Sequence, residues 1–295
     1  MVVFPFDDAC ERTLIALNLP NTTIVGLTAF EDAALLAVKP TRTQTEYCWT
    51  CTPATILYVL ENLNADQCTY LDADLYFWDS PELILSHLNT ASILITPHRY
   101  PPNHDQSAIS GIYCVQWVSA KNNQDGLKAI RWWRDACLDW CYATPQDGKL
   151  GDQKYLDDWT VRFEGVHVVE EPGAGLAPWN MSQYEVEVQN GKPLGKIRQT
   201  KTPFPVIFFH FHSLKFLTGE IHLTGYPLAN DIRDHIYRPY VQHLLSIPQS
   251  LPPHTPPCHR ATTPSPWSLR SVFDTLKTHV YGNSNRYSLS YFKDR

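Results

Sequence analysis

Short apolar segments typical of buried strands alternate with helical segments along the first 245 residues of this sequence. Strands are predicted near residues 2–6, 23–27, 68–71, 92–96, 113–119, 166–169 and 206–210. Helices are predicted between them, for example over 53–61, 81–88 and 126–141. Strands that alternate with helices are characteristic of a mostly parallel sheet that helices cover on both faces. The sequence therefore predicts an α/β fold.

The chain has 295 residues, enough to bury the core of one large α/β domain or of two smaller ones. Its net charge of −6 argues against a nucleic-acid partner, because no basic field attracts a phosphate backbone. No apolar run is long enough to span a bilayer, and no signal peptide opens the chain. These features predict a cytoplasmic protein, or one that is peripheral to a membrane.

Eight cysteines without an export signal are typical of free thiols in a reducing compartment. Cys48 and Cys51 have the spacing of a redox or zinc motif, and Cys137 and Cys141 are one helical turn apart. A zinc site needs a second close pair of cysteines or histidines at ligand spacing, and neither is evident. Buried thiols are therefore the favoured interpretation.

The composition changes near residue 246, where prolines become frequent. Because proline sustains neither a helix nor a central strand, residues 246–267 are predicted to form an extended linker after a main domain of residues 1–245. Residues 268–295 are predicted to be a C-terminal appendage. It would contain an amphipathic helix over 268–279 and end in a loose segment rich in Ser, Asn and Tyr.

Two acids one residue apart, Asp72 and Asp74, follow the apolar strand predicted at 68–71. Alternate residues of a strand point the same way, so both carboxylates can be presented to one point. Such a pair suits a hard cation such as Mg²⁺ or Mn²⁺, whose remaining ligands a diphosphate can supply. The alternative is a pair of solvated aspartates in a turn, since the Asp-x-Asp tripeptide is common.

Two later segments could reach the same edge of the sheet. A glycine-flanked turn brings Asp152 and Gln153 to a predicted helix start, where the alternative role of Asp152 is to cap the helix. Farther on, Gly175, Trp179 and Asn180 belong to a segment in which glycines and prolines fix an unusual backbone. That backbone suits close approach to a sugar or nucleotide, although a rigid connector would look the same.

A third segment carries His210, His212 and Lys215 at the end of an apolar strand. The two histidines are predicted to share one face. A neutral imidazole can complete the ligand shell of a divalent ion, and a lysine can neutralise a phosphate. The alternative is a pair of histidines packed in the core.

Taken together, these motifs resemble the nucleotide-sugar glycosyltransferases of GT-A fold, and most closely a bacterial group related to the retaining family 8. The segment at 70–74, Tyr-Leu-Asp-Ala-Asp, is similar to the family's D-x-D strand. The segment at 151–156 resembles its D-Q-x-x-L helix start, and that at 210–213 resembles its H-F-x-G motif. The resemblance covers roughly residues 2–245, with the motifs in the family's order.

The resemblance implies that Asp72, Asp74 and His210 ligate Mn²⁺ or Mg²⁺ against the diphosphate of a sugar nucleotide. The ion and Lys215 would stabilise the charge that develops on the β-phosphate as the anomeric bond breaks. Asp152 would hold hydroxyls of the donor sugar, and Gln153 would lie near the anomeric carbon.

The implied reaction transfers a sugar from a nucleoside diphosphate donor, a UDP-sugar first of all, to a glycan, lipid-linked or protein acceptor. Retention of configuration is favoured, because an inverting enzyme needs an acidic base for the acceptor and none can be assigned.

The chain also departs from the family pattern. Its first predicted strand matches the family's second, and Ser213 stands where the motif usually has glycine. The first departure leaves open a pseudoenzyme or partner-binding module on the same fold. A metal-dependent phosphohydrolase or nucleotidyltransferase that uses the same acid pair is a further alternative.

Overall fold

Strands and helices alternate through most of the chain in the computed structural model, which describes residues 1–247 and 285–293. The predicted α/β class is confirmed, and the sheets include parallel strand pairs.

The strands are β1 (Val2–Val3), β2 (Thr23–Ile24), β3 (Gln67–Leu71), β4 (Leu75–Phe77), β5 (Ile93–Pro97), β6 (Tyr113–Lys121), β7 (Val166–Val168), β8 (Ala174–Leu176), β9 (Tyr184–Gln189), β10 (Lys192–Ile197), β11 (Pro203–Pro205), β12 (Phe208–His210), β13 (Lys215–Phe216), β14 (Glu220–His222) and β15 (Arg286–Ser288).

The α-helices are α1 (Asp8–Leu17), α2 (Leu27–Phe30), α3 (Ala33–Val38), α4 (Gln44–Asn62), α5 (Glu82–Leu85), α6 (Ser107–Ser110), α7 (Gln124–Asp139), α8 (Trp159–Arg162), α9 (Asn230–Ile232), α10 (Arg238–Ser246) and α11 (Ser290–Lys293). Short 3-10 helices lie at Lys39–Thr41, Ser86–Asn89, Pro102–His104, Gln153–Leu156 and Met181–Gln183, and a π-helix lies at Arg233–Tyr237. Within the described residues, no helix combines the length and the apolar character that crossing a bilayer requires.

Helix α4 starts earlier than the apolar pattern indicates, at Gln44 instead of near Pro53. The cause is a capping box: the Thr43 hydroxyl accepts from the Glu46 amide at 3.3 Å, and the Glu46 carboxylate accepts from the Thr43 amide at 2.8 Å. The two residues satisfy amides that have no partner within the helix, and the helix extends over 19 residues.

The described residues form two compact units. The first contains residues 1–73 and 81–175, and the second contains residues 74–80, 176–247 and 285–293. The predicted ends of the main domain at residue 245 and of the linker at residue 267 stay predictions. Helix α10 runs to Ser246, and the linker and helix predicted beyond it lie in a part of the chain outside the described residues, apart from 246 and 247.

The larger sheet of the first unit has the order β3-β6-β5-β7. β5 and β7 pair in parallel, but β6 runs antiparallel to both of its neighbours. This departs from the expected mostly parallel pairing. The reason is the connection at 98–112, which holds only a 3-10 turn and the four-residue helix α6. A parallel return usually crosses the sheet through a full helix, and this connection has none.

The core of the first unit lies between this sheet and the helices α4 and α7, and aromatic side chains fill much of it. Trp133 of α7 and Trp159 of α8 are fully buried and meet edge to face at 5.4 Å. A smaller cluster, which includes Phe30 and Leu35, packs near the N-terminal strands.

The second unit contains small antiparallel sheets. β11, β10 and β9 form one, β4 pairs with β12, and β13, β14 and β15 form another. Its core is rich in aromatic residues, with Phe211 stacked on Tyr240 at 3.7 Å between ring centroids.

The prediction that the last residues are loose is wrong for 285–293. Residues 286–288 form β15 on the edge of β14, and Asn285 donates to the carbonyl oxygens of Thr224 and Tyr226. The Phe292 side chain is 1% exposed in the core of the second unit. Composition alone did not reveal this segment, because its burial depends on partners more than 40 residues away along the chain.

We predict that Phe292→Ala lowers the free energy of unfolding by about 3 kcal/mol, since it removes a large buried aromatic side chain and leaves a cavity. Chemical denaturation monitored by circular dichroism measures the change. The exposed neighbour Lys293 supplies the control, Lys293→Ala, which should change stability by less than about 0.5 kcal/mol. Equal effects of the two substitutions would show that the terminal segment does not stabilise the fold.

Candidate functional site

Asp72 and Asp74 lie in a turn, whereas the sequence predicted them on a strand. β3 ends at Leu71 and β4 begins at Leu75, because the chain leaves the ladder with β6 and joins a different one with β12. The strand-alternation argument for their shared direction is therefore wrong. The turn nevertheless brings the two carboxylates near one point.

The carboxylate of Asp74 pairs with His210. β12 runs antiparallel to β4 with His210 opposite Leu75, and the imidazole Nε2 lies 3.0 Å from Asp74 Oδ1. His210 is 6% exposed. Burial acts to raise the pKa of Asp74, but the hydrogen bond and the positive charge of His210 outweigh it, so that the pKa is lowered.

Asp72, Asp74 and His210 each offer one ligand atom, and these atoms lie within 4.8 Å of one another. Two carboxylate oxygens and an imidazole nitrogen at this separation fit the first shell of one divalent ion. Mn²⁺ accepts both donor types, whereas Mg²⁺ prefers oxygen. The three residues predicted as metal ligands thus converge, and the set can hold a divalent cation.

The acid pair continues into a buried polar network in the first unit. The Tyr70 hydroxyl donates to Asp72 Oδ1 at 2.9 Å, and both Tyr70 and Asp152 hydrogen-bond the Thr52 hydroxyl. Burial, followed by the charge of Asp72, raises the pKa of Tyr70, so the phenol stays a donor. Sequence reasoning missed Tyr70 and Thr52. Tyr70 could have been found from its position two residues before Asp72.

Asp152 is almost completely buried, at 3% exposure. Burial raises its pKa to about 7; the hydrogen bond from Thr52 opposes this shift and the charge of Asp72 adds to it. Its Oδ2 has no hydrogen-bond partner among the described residues. The side chain does not cap the following 3-10 helix, so the capping role considered from the sequence does not apply.

Gln153, half-buried, is the first residue of that 3-10 helix. The backbone beside it is fixed by the Trp133 indole, whose Nε1 donates to the Asp152 carbonyl oxygen at 2.9 Å. A buried tryptophan thus positions both residues that the resemblance assigns to the donor sugar.

The segment at 174–180 has the unusual backbone that its glycines predict. Gly175 has φ +94°, and a side chain there would meet the Gln116 amide, with a Cβ only 2.5 Å from Nε2. Asn180 is fully buried, and its Oδ1 accepts from the Ala177 amide at 3.0 Å. That hydrogen bond gives Asn180 a structural role in addition to any contact with a substrate.

Trp179 lies beside the histidines. Its ring meets His210 edge to face at 5.3 Å and His212 at 5.7 Å between centroids. Trp179 therefore fixes the orientation of the imidazole that faces Asp74.

Lys215 is exposed at the start of β13. Of the residues predicted for the site, Asp72, Asp74 and His210 form the cluster, with Trp179 against it and Asp152 linked to it through Thr52 and Tyr70. Outside the cluster are Gln153, Gly175, Asn180 and Lys215.

No model of a protein family matches this chain. The chain is 33% identical over 254 residues to the uncharacterized protein YfnD of Bacillus subtilis (strain 168), over 83% of this chain and 79% of that protein. It is 29% identical over 256 residues to the uncharacterized protein YfnF of the same organism, over 82% of this chain and 83% of that protein.

Two solved structures are similar to this chain at 10% identity. One is a glycosyltransferase involved in the glycosylation of the major capsid of PBCV-1, with a TM-score of 0.39 over 72% of this chain and 92% of that chain. The other is mouse xyloside xylosyltransferase 1 in its apo form, with a TM-score of 0.42 over 72% of this chain and 83% of that chain. Similarity this distant assigns no activity to the chain, so any activity must be argued from the chain's own residues.

The raised pKa of Asp152 predicts a pH-dependent stability. Between about pH 4 and pH 7 the folded protein keeps the Asp152 proton while the unfolded chain releases it, so the free energy of unfolding falls as pH rises. Asp152→Asn removes this ionisation. We expect the variant to gain on the order of 2–4 kcal/mol relative to the wild type between pH 4 and pH 8.

Denaturant unfolding at several pH values, in the presence of a chelator, measures this difference. The exposed Asp147, in the preceding loop, supplies the matched control Asp147→Asn. A wild type and an Asp152→Asn variant with the same pH dependence would contradict the assignment.

Proposed function

This chain belongs to the protein family of Bacillus subtilis YfnD, and we propose that it is a metal-dependent glycosyltransferase of GT-A type, related to the retaining family 8. It would transfer a sugar from a nucleoside diphosphate donor, a UDP-sugar, to a glycan, lipid-linked or protein acceptor. One observation carries the proposal: the ligand atoms of Asp72, Asp74 and His210 lie within 4.8 Å of one another.

The charge of this cluster selects the ligand. Two carboxylates would repel a diphosphate at close range, unless a cation stands between them and the phosphates. Asp72, Asp74 and His210 would hold Mn²⁺ or Mg²⁺, which would supply the positive charge that neutralises the diphosphate leaving group. The fixed pair of Asp74 and His210 holds two of the three ligands in place before anything binds.

Lys215 supports the same assignment. It follows His212 by three residues on the exposed strand β13, and its ammonium group is a mobile point charge that can reach a phosphate. We assign it to stabilising the negative charge on the phosphates as the bond to the sugar breaks.

Asp152 and Gln153 are proposed to hold the donor sugar. Asp152 Oδ2 is buried without a partner among the described residues, so it can accept a hydrogen bond from a sugar hydroxyl. Gln153 presents an amide next to it, which can orient the anomeric centre without taking up a proton. No carboxylate is assigned as a base for the acceptor hydroxyl, and retention of configuration is therefore proposed.

Gly175, Trp179 and Asn180 are proposed to bind the substrate. At Gly175 the positive φ and the neighbouring Gln116 amide fix the backbone of this segment, and Trp179 offers an aromatic ring beside the metal ligands.

We place the protein in the cytoplasm, free or peripheral to a membrane. Cys51, Cys137 and Cys141 are buried free thiols, which agrees with a reducing compartment.

Removal of either acid tests the metal assignment. We expect Asp72→Asn and Asp74→Asn each to lower Mn²⁺-dependent turnover of a UDP-sugar by at least about 100-fold, because each removes a charged ligand of the ion. Calorimetry with Mn²⁺ and a panel of UDP-sugars measures binding, and donor hydrolysis measures turnover.

Asp79 supplies the control, since this acid near the protein surface pairs with Lys192 instead of with the cluster. Asp79→Asn should retain turnover within about twofold. Full turnover in either cluster variant would remove the metal assignment. A wild type that binds no sugar nucleotide at all would favour a pseudoenzyme or a partner-binding module.

Gln153→Ala tests the role beside the donor. If Gln153 acts at the anomeric centre in the transition state, the variant loses kcat by about tenfold or more with little change in KM. Steady-state kinetics over a range of donor concentration separates the two parameters. An increase in KM at unchanged kcat would assign Gln153 to ground-state binding of the donor instead.

A further inference from the structure

A groove of about 710 Å³ lies in the second unit, between the π-helix and the C-terminal segment. Its volume is in the range of sites for small ligands. It is lined by Arg233, Asp234, His235, Arg238, Ser288, Ser290 and Tyr291. None of these residues belongs to the proposed metal or donor site.

The π-helix places two arginines on one side of the groove. Arg233 and Arg238 are five residues apart, the spacing that a π-helix brings into line and that an α-helix would separate by roughly 140°. Pro239 lacks an amide hydrogen, which accounts for the irregular turn just before it. Both guanidinium groups hydrogen-bond one carboxylate, that of Asp234, at 2.9 Å and 3.3 Å, since Arg233 directly precedes Asp234 and Arg238 follows it by four residues.

The groove has more positive than negative charge. One aspartate faces two guanidinium groups, and the Arg233 and Arg238 side chains are only 19% and 16% exposed. Charges this shielded from water are screened less than surface charges and attract an anion more strongly. Each guanidinium carries five N–H donors. Arg238 bonds Asp234 and the Tyr291 carbonyl oxygen, whereas Arg233 bonds Asp234, Asn230 and Tyr287, so Arg238 has more donors left for an anion.

The opposite wall is polar and aromatic, without charge. Ser288 and Ser290 offer hydroxyl groups 2.8 Å apart, and Tyr291 offers an aromatic ring that also packs on the Arg238 guanidinium at 4.6 Å. Hydroxyls and an aromatic ring are the groups that contact sugars, and the groove is much larger than a single phosphate.

We propose that this groove binds an acidic saccharide, with its carboxylate or phosphate at Arg233 and Arg238 and its ring beside Tyr291, Ser288 and Ser290.

Binding can be tested without any turnover. Calorimetry on the full chain compares a disaccharide that ends in glucuronic acid with the neutral disaccharide that ends in glucose, and with inorganic phosphate. The variant is Ser290→Asp, which puts a negative charge at the groove but keeps both arginines. An acid in the first turn of α11 is favourable, so this variant should fold, and its thermal transition checks that. Ser86→Asp, an exposed position in the first unit, is the matched control.

We expect the acidic disaccharide to bind at least tenfold more tightly than the neutral one, and more weakly as salt is added. Ser290→Asp should weaken that binding at least tenfold, and Ser86→Asp should leave it unchanged. Equal binding of the two disaccharides, no binding of either, or binding that Ser290→Asp leaves intact would overturn the proposal. Inorganic phosphate that binds as tightly as the acidic disaccharide would show a simple anion site and would also overturn it.

Asp74→Asn separates this proposal from the proposed function. Binding of the acidic disaccharide should survive in that variant, because Asp74 does not line the groove. If the wild type turns over no sugar nucleotide but binds the acidic disaccharide as expected, the proposed glycosyl transfer is contradicted and the proposed saccharide groove is supported.

Discussion

The candidate site depends on two backbone hydrogen bonds that hold the turn at Asp72–Asp74. At its start the Asp72 amide donates to the Gln116 carbonyl oxygen at 3.2 Å, and at its end the Phe211 amide donates to the Asp74 carbonyl oxygen at 2.9 Å. A turn fixed at both ends loses little further entropy when a ligand binds, because its backbone is already ordered. The side chains can then be acidic and close together although they repel one another.

The same arrangement costs stability. Asp152 is buried near the charge of Asp72, and the raised pKa of Asp152 measures that cost. A buried carboxylate oxygen without a hydrogen-bond partner lowers the stability of the folded protein. Such a group is expected where a ligand supplies the missing hydrogen bond. The structure thus places a buried carboxylate oxygen, without a hydrogen-bond partner in the described part of the chain, one residue before Gln153.

The sequence predicted the features that depend on residues close together along the chain, and it missed features that depend on distant residues. The α/β class could be predicted from the alternation of strands and helices, and the set of Asp72, Asp74 and His210 from the resemblance to the glycosyltransferase motifs. The direction of β6 could not be predicted, since it depends on how the chain returns through residues 98–112. Thr52 looked like an ordinary helical residue, and only tertiary packing brings it to Asp152. The order at Phe292 likewise depends on distant partners.

Ser213 stands where the H-F-x-G motif that this chain resembles has glycine, and the backbone geometry there explains the glycine. The Leu214 amide donates to the Phe211 carbonyl oxygen at 3.1 Å, so residues 211–214 form a turn, and Ser213, its third residue, has φ +70°. A positive φ at that position is the reason type II turns take glycine there, as the family motif does. A serine in this conformation costs about 1 kcal/mol. The protein accepts this cost directly after His210 and His212, and the turn sets the direction in which β13 and Lys215 leave the histidines. The glycine of the motif therefore reflects a backbone requirement, and this chain meets that requirement with a strained serine.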